Sequence, residues 1–169
     1  MKKKVYLFIT IFLLTIVFFS LISAGEMQMN QTIKLSDLTL KEKIGQLVII
    51  KPTGLNEDYL TELHVGGIFL NDKNSAHEYA DTIEFYQNKS KIKLFVATDM
   101  EGYWNPFKFY SSKNFGDISD DPEAYDLGVD HGKILSELGF NMDFSPIVET
   151  RNTVWPGRSF TGTPTEIKE

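Results

Sequence analysis

The sequence contains no cysteine and only three histidines among its 169 residues. Disulfides, thiolate catalysis and cysteine-bound metals are therefore excluded. Histidines as scattered as His64, His77 and His131 give no expectation of a metal site, and no cofactor is expected. Basic residues are also scarce: 17 lysines and arginines face 23 aspartates and glutamates, a net charge of −6. A phosphate backbone needs a basic face, so nucleic acid is not an expected partner. With 42% apolar and 24% charged residues, a disordered polymer, a collagen and a coiled coil are excluded. The length suits one domain around one core.

Long apolar runs are lacking too, with one exception. Lys2, Lys3 and Lys4 precede an apolar stretch from Val5 to Ile22, interrupted only by Thr10, Thr15 and Ser20. A basic start, an apolar run and the small residues Ser23-Ala24-Gly25 predict an export signal over 1–24. The run is also just long enough to span a bilayer, so an uncleaved anchor through residues 5–22 is the alternative. Either way the remainder is expected to be extracellular or periplasmic. Without residues 1–24 the chain loses three lysines and no acids, leaving 14 basic and 23 acidic residues, a net −9. So acidic an exported domain suits a neutral substrate.

Residues 25–37 read as a spacer and 38–169 as the folded domain. Thr39-Leu40-Lys41-Glu42 is a capping box that opens a short helix to Gln46. Leu47–Ile50 predicts a first strand, Asn56 caps a helix through Leu63, and Gly66–Leu70 predicts a second strand. Ser75-Ala76-His77-Glu78 opens a helix to Asn88, placing His77 near its start; His64 and His131 fall in predicted helices, all three as packing or surface residues. Leu94–Thr98 is a third strand ending at Asp99, followed by a long aromatic loop over 99–120. Asp121-Pro122 provides a cap and an early proline for a helix ending at Leu138 with Gly139 as its stop. Phe140–Val148 is the fourth strand. Strands apolar along their whole length predict burial on both faces and hence a parallel α/β sheet. Four such units fit a doubly wound sheet or half of an eight-stranded barrel. Thr163-Pro164-Thr165-Glu166 then starts a helix three residues before the sequence stops, which predicts a truncated barrel.

Five segments carry a family resemblance: Leu40–Leu47, Val65–Asn71, Phe95–Gly102, Leu138–Val148 and Gly157–Phe160. In order and spacing they resemble the N-terminal domain of family 3 glycoside hydrolases over about residues 38–164. The nearest subgroup in character is the bacterial β-N-acetylhexosaminidases. The resemblance implies the first half of a (β/α)8 barrel, about four parallel β/α units, and cleavage of β-linked sugars with retention. It also implies that the nucleophilic aspartate, a substrate-binding Lys-His segment and the acid/base belong to later elements. A C-terminal half encoded separately is accordingly an expected partner, beside the carbohydrate itself.

Asp99 is the leading candidate. Following an apolar strand, it should stand at the carboxyl end of the sheet, where parallel α/β folds gather ligands. A carboxylate there accepts hydrogen bonds from sugar hydroxyls; otherwise it caps the following turn. The resemblance favours the sugar-binding role. Glu101 supports Asp99 or a loop amide, or is a solvated surface group. Arg158 presents several donors in a rigid fork, and the matching Arg-Ser-Phe segment implies substrate contact; the alternative is an ion pair with Glu149 or Asp99. Lys108 falls near where the family carries an arginine. Arg151 has no motif to fix it, and Tyr103, Trp104 and Trp155 are candidates for stacking on a sugar face. Tyr103-Trp104-Asn105-Pro106 and Glu149 depart from the family pattern. No catalytic residue is assigned: a retaining enzyme needs two carboxylates about 5 to 5.5 Å apart, and the Asp99/Glu101 pair has no family precedent in that role.

Overall fold

The computed structural model describes residues 33–53, 57–148 and 157–168. The predicted signal or anchor, most of the spacer, Asn56, Glu149, Arg151 and Trp155 lie outside them. Among the described residues no helix is long and apolar enough to cross a membrane. The chain divides between Asp37 and Leu38 into two compact units. The described part of the first contains a 3-10 turn over Leu35–Asp37.

The second unit runs α1 (Leu40–Gly45), β1 (Ile49–Ile50), α2 (Glu57–Glu62), β2 (Gly67–Phe69), α3 (Ala76–Lys89), β3 (Phe95–Thr98), α4 (Asp121–Leu138), β4 (Met142–Asp143) and α5 (Pro164–Lys168). The capping box at Thr39 forms with both of its halves. Thr39 Oγ1 accepts from the Glu42 amide at 3.2 Å and the Glu42 carboxylate accepts from the Thr39 amide at 2.7 Å. Lys91 adds a 2.7 Å ion pair, and chiefly for that reason the Glu42 carboxyl is held down to about 2. At α3 only half the expected box is made: Ser75 caps the Glu78 amide, while Glu78 reaches the Asn74 amide instead. The cap of α4 is Asp120 rather than Asp121, with the proline inside the first turn. Gly139 ends α4 at φ 90°, a left-handed conformation that favours glycine. His64 lies just past α2, at φ 52°, instead of within a helix.

All four strands are parallel and stand in the order β1-β2-β3-β4. The helices α3 and α4 pack on each other, and one buried cluster joins Tyr79, Ile83 and Tyr86 of α3 and Leu138 of α4 to Ile68 and Val96. A doubly wound sheet reverses its strand order and puts helices on both faces. A monotonic order with its long helices on one face is the winding of a barrel, here four consecutive β/α units of the (β/α)8 type.

The strands are shorter than the apolar runs predict, and one face is open. Leu47 and Val48 belong to the turn after α1, their amides bonded to Ile44 and Gly45 carbonyls, and both are exposed. Phe95 and Phe144 are half exposed on the side away from the helices, where Phe69 and Phe144 stack at 6.1 Å. Two-sided burial therefore does not hold among the described residues. Apolar side chains on this face correspond to a barrel interior, which in a closed barrel is filled from all strands.

Candidate functional site

The site forms where β3 and β4 end. Asp99, the first residue past β3, is half-buried, and its carboxyl is pushed above the usual range first by burial and then by the charge of Glu101, with Arg158 opposing. The Met100 side chain is buried in the core, so the chain on either side of it is held at the sheet's rim. Glu101 is buried and takes an ion pair and hydrogen bond from Arg158 Nε. That bond is what chiefly raises the Arg158 pKa. Of the two ion pairs expected for Arg158, the one with Glu149 falls outside the described residues, and Asp99 acts on the guanidinium through space; the described ion pair is with Glu101. Glu101 is correspondingly not a solvated surface group.

Local structure places each member. Gly102 follows Glu101 at φ 62°, and a Cβ there would stand 2.4 Å from the Lys113 carbonyl oxygen. Only glycine fits so close an approach in that conformation. The turn that follows closes on itself: the Trp104 amide bonds the Glu101 carbonyl at 3.1 Å, Asn105 Nδ2 donates to the Gly102 carbonyl at 3.0 Å, and Asn105 Oδ1 accepts from the Phe107 amide at 3.0 Å. Phe107 then buries against Tyr79 and Phe140. Trp104 and Tyr103 remain exposed at the tip, edge to face with one another.

Arg158 is delivered by a segment docked on the long loop. The Gly157 carbonyl accepts from the Phe115 amide at 3.1 Å, Phe160 stacks on Phe115 at 4.9 Å, and Ser159 is fully buried. Lys108 goes elsewhere: its ammonium is exposed and donates to Asn74 Oδ1 at 2.6 Å, on the loop before α3. The structure thus brings together Asp99, Glu101 and Arg158, and gives Lys108 a contact outside that group.

Asp143, the last residue of β4, is a member that sequence reasoning missed. Its Oδ1 accepts from the Met100 amide at 2.9 Å and from the Ser145 amide at 3.3 Å. Burial pushes its carboxyl up, those two amides oppose, and the charges of Asp99 and Glu101 push it further. The available signal was positional: it ends a strand of a parallel sheet, as Asp99 follows one. Asp143 and Ser145 also line, with Phe115, His131 and Phe160, a cavity of about 400 Å³. His131 is a packing residue, as expected. Burial holds its pKa low, and its Nε2 shares a 2.8 Å hydrogen bond with the Ser112 hydroxyl.

Three carboxylates and one guanidinium therefore share a rim that is partly withdrawn from water. Such a group offers several acceptors and a cationic fork to a neutral polyhydroxyl ligand. Among the described residues no cluster of metal-ligating side chains occurs.

Comparison with known proteins points the same way. The profile described as the glycosyl hydrolase family 3 N terminal domain matches residues 39–168. A solved glycoside hydrolase family 3 beta-N-acetylglucosaminidase from Paenibacillus sp. str. FPU-7 is 30% identical with a TM-score of 0.55, over 64% of this chain and 24% of that one. A glycosyl hydrolase of the same family from Mycobacterium smegmatis str. MC2 155 is 21% identical with a TM-score of 0.61, over 80% of this chain and 45% of that one, and bears on the fold alone. The chain thus spans less than half the length of either protein. No match is found among curated proteins.

Proposed function

The chain belongs to glycosyl hydrolase family 3 by its N-terminal domain, and from that premise we propose that it forms part of the sugar-binding wall of an enzyme hydrolysing O-glycosyl bonds of β-linked sugars. The observation that carries this reading is the half-buried Asp99 carboxylate just past β3, within reach of the charges of Glu101 and Arg158. In this reading Asp99 accepts two sugar hydroxyls, and Glu101 holds the Arg158 fork at the same rim. Trp104 and Tyr103 offer exposed aromatic faces, and Lys108 lies further out. β-N-acetylhexosaminides are the proposed substrate class, supported by the similarity to the Paenibacillus beta-N-acetylglucosaminidase. The nucleophile is assigned to a later strand. Export, by a cleaved signal or an anchor over residues 5–22, is proposed from the basic-then-apolar start of the sequence.

Thermal unfolding of the chain in N-acetylglucosamine tests this. Sugar is expected to raise Tm, with the rise lost in Asp99→Ala; a rise that survives the substitution overturns the assignment of Asp99. The chain alone is expected to release no product from an aryl β-N-acetylglucosaminide. Turnover abolished by Asp99→Ala would place a reacting carboxylate here instead. A second reading, a half-barrel completed by a separately encoded half, is favoured by the exposed Phe95 and Phe144 on the open face. Light scattering that finds a cooperatively unfolding monomer would count against it.

A further inference from the structure

The backbone ladder between β3 and β4 is short. It pairs Ala97 with Met142 and Thr98 with Asp143, and its last bond runs from the Phe144 amide to the Thr98 carbonyl at 2.9 Å. Side chains from every second residue of the β4 segment prolong it at both ends. Asn141 bonds the Val96 amide at 2.7 Å and the Leu94 carbonyl at 3.0 Å. Asp143 Oδ1 takes the Met100 amide at 2.9 Å, and Ser145 Oγ donates to the Met100 carbonyl at 2.8 Å. Asp143 Oδ1 also accepts the Ser145 amide, so the two residues form one unit. Met100 is thus held by its amide, by its carbonyl and by its buried side chain. Its neighbours are Asp99 and Glu101.

We propose that Asp143 is a positioning residue: with Ser145 it clamps the Met100 backbone and thereby sets where Asp99 and Glu101 hold their carboxylates. Asp143 does not touch sugar in this account. Its placement is costly, since a half-buried acid stands near two others. A neutral side chain serves the equivalent purpose at Asn141, so the clamp calls for an acceptor oxygen at this position rather than for its charge. The proposal rests on the sugar-binding reading for its functional half only; the clamp itself is tested separately.

The test compares Asp143→Ala with Asp143→Asn, whose amide oxygen still accepts from Met100 without the charge. Amide hydrogen exchange in the full chain reads the clamp, with the Val96 amide, held by Asn141, as internal control. Exchange at Met100 relative to Val96 is expected to rise about tenfold in the alanine variant and to stay within about threefold in the asparagine variant. A purely structural aspartate would speed both amides together, and that result overturns the clamp. N-acetylglucosamine titration reads the functional half: Asp143→Ala is expected to weaken binding about tenfold, with asparagine restoring most of it. Equal losses in both variants would overturn positioning in favour of charge. If the unsubstituted chain binds no sugar, the sugar-binding reading fails while the exchange result still decides the clamp. Should the alanine variant not fold, Ser145→Ala, which removes only the donor to the Met100 carbonyl, is held to the same exchange criterion.

Discussion

The two ends of β3 are secured by the same device made from different chemistry. At the amino end the Leu94 backbone is gripped by neutral amides. Gln87 bonds both its amide and its carbonyl, at 3.0 and 3.1 Å, and Asn141 adds a second bond to that carbonyl. At the carboxyl end the Met100 backbone is gripped by an acid and a hydroxyl, Asp143 and Ser145. Amides satisfy backbone groups without titrating. The acid brings a charge into a half-buried setting beside Asp99 and Glu101, and its raised pKa records that cost. The difference separates an end built to hold from an end that holds and also presents charge, at the rim where parallel sheets collect their ligands.

Four substitutions bear on that contrast. The largest effect is expected at the charged end: Arg158→Ala leaves the Glu101 carboxylate buried without the guanidinium, and should cost about 3 kcal/mol in urea unfolding. Glu101→Gln in the same background should recover part of it; no recovery would mean that the pair is not what the arginine stabilises. At the neutral end, Asn141→Ala strips the Val96 amide and one bond to Leu94, and should cost about 2 kcal/mol. That loss should be the same at every pH, and a marked pH dependence would erase the contrast. The smallest effect is expected for Asp143→Asn, and its sign depends on pH. The folded acid binds its proton more tightly than the unfolded one. The native state therefore holds more protons in the window just above the ordinary aspartate range, and stability falls as pH rises through it. The Tm of Asp143→Asn relative to the unsubstituted chain should thus move upward between about pH 4 and pH 7. A constant difference, or a downward one, would show that the aspartate carries no burial penalty.

Much of the fold was legible because it is written locally. The capping boxes at Thr39 and Thr163 depend on side chains reaching three residues along the chain and the stop at Gly139 on a left-handed backbone that glycine adopts freely, and all three form as read. Strand lengths were not legible. Leu47, Val48 and residues 144–148 are as apolar as their neighbours, and an apolar run does not reveal where pairing stops or whether a face is covered. At the site, the position of Asp99 just past β3 was legible from the apolar strand before it. The fate of Glu101 was not, since its partner Arg158 lies 57 positions away. Asn141, Asp143 and Ser145 were visible as polar residues alternating in an otherwise apolar segment. Their targets were hidden, because a backbone group 43 to 47 residues distant leaves no mark on local pattern.

The turn between Glu101 and Phe107 closes through its own bonds and is tied down at one side by Phe107, so its tip bears little on the rest of the molecule. Tyr103 and Trp104 can therefore be exchanged during evolution at small cost to folding. A lineage could retune which ligand it prefers by altering a pair of codons there, while the inherited scaffold and its rim of charges stay as they are.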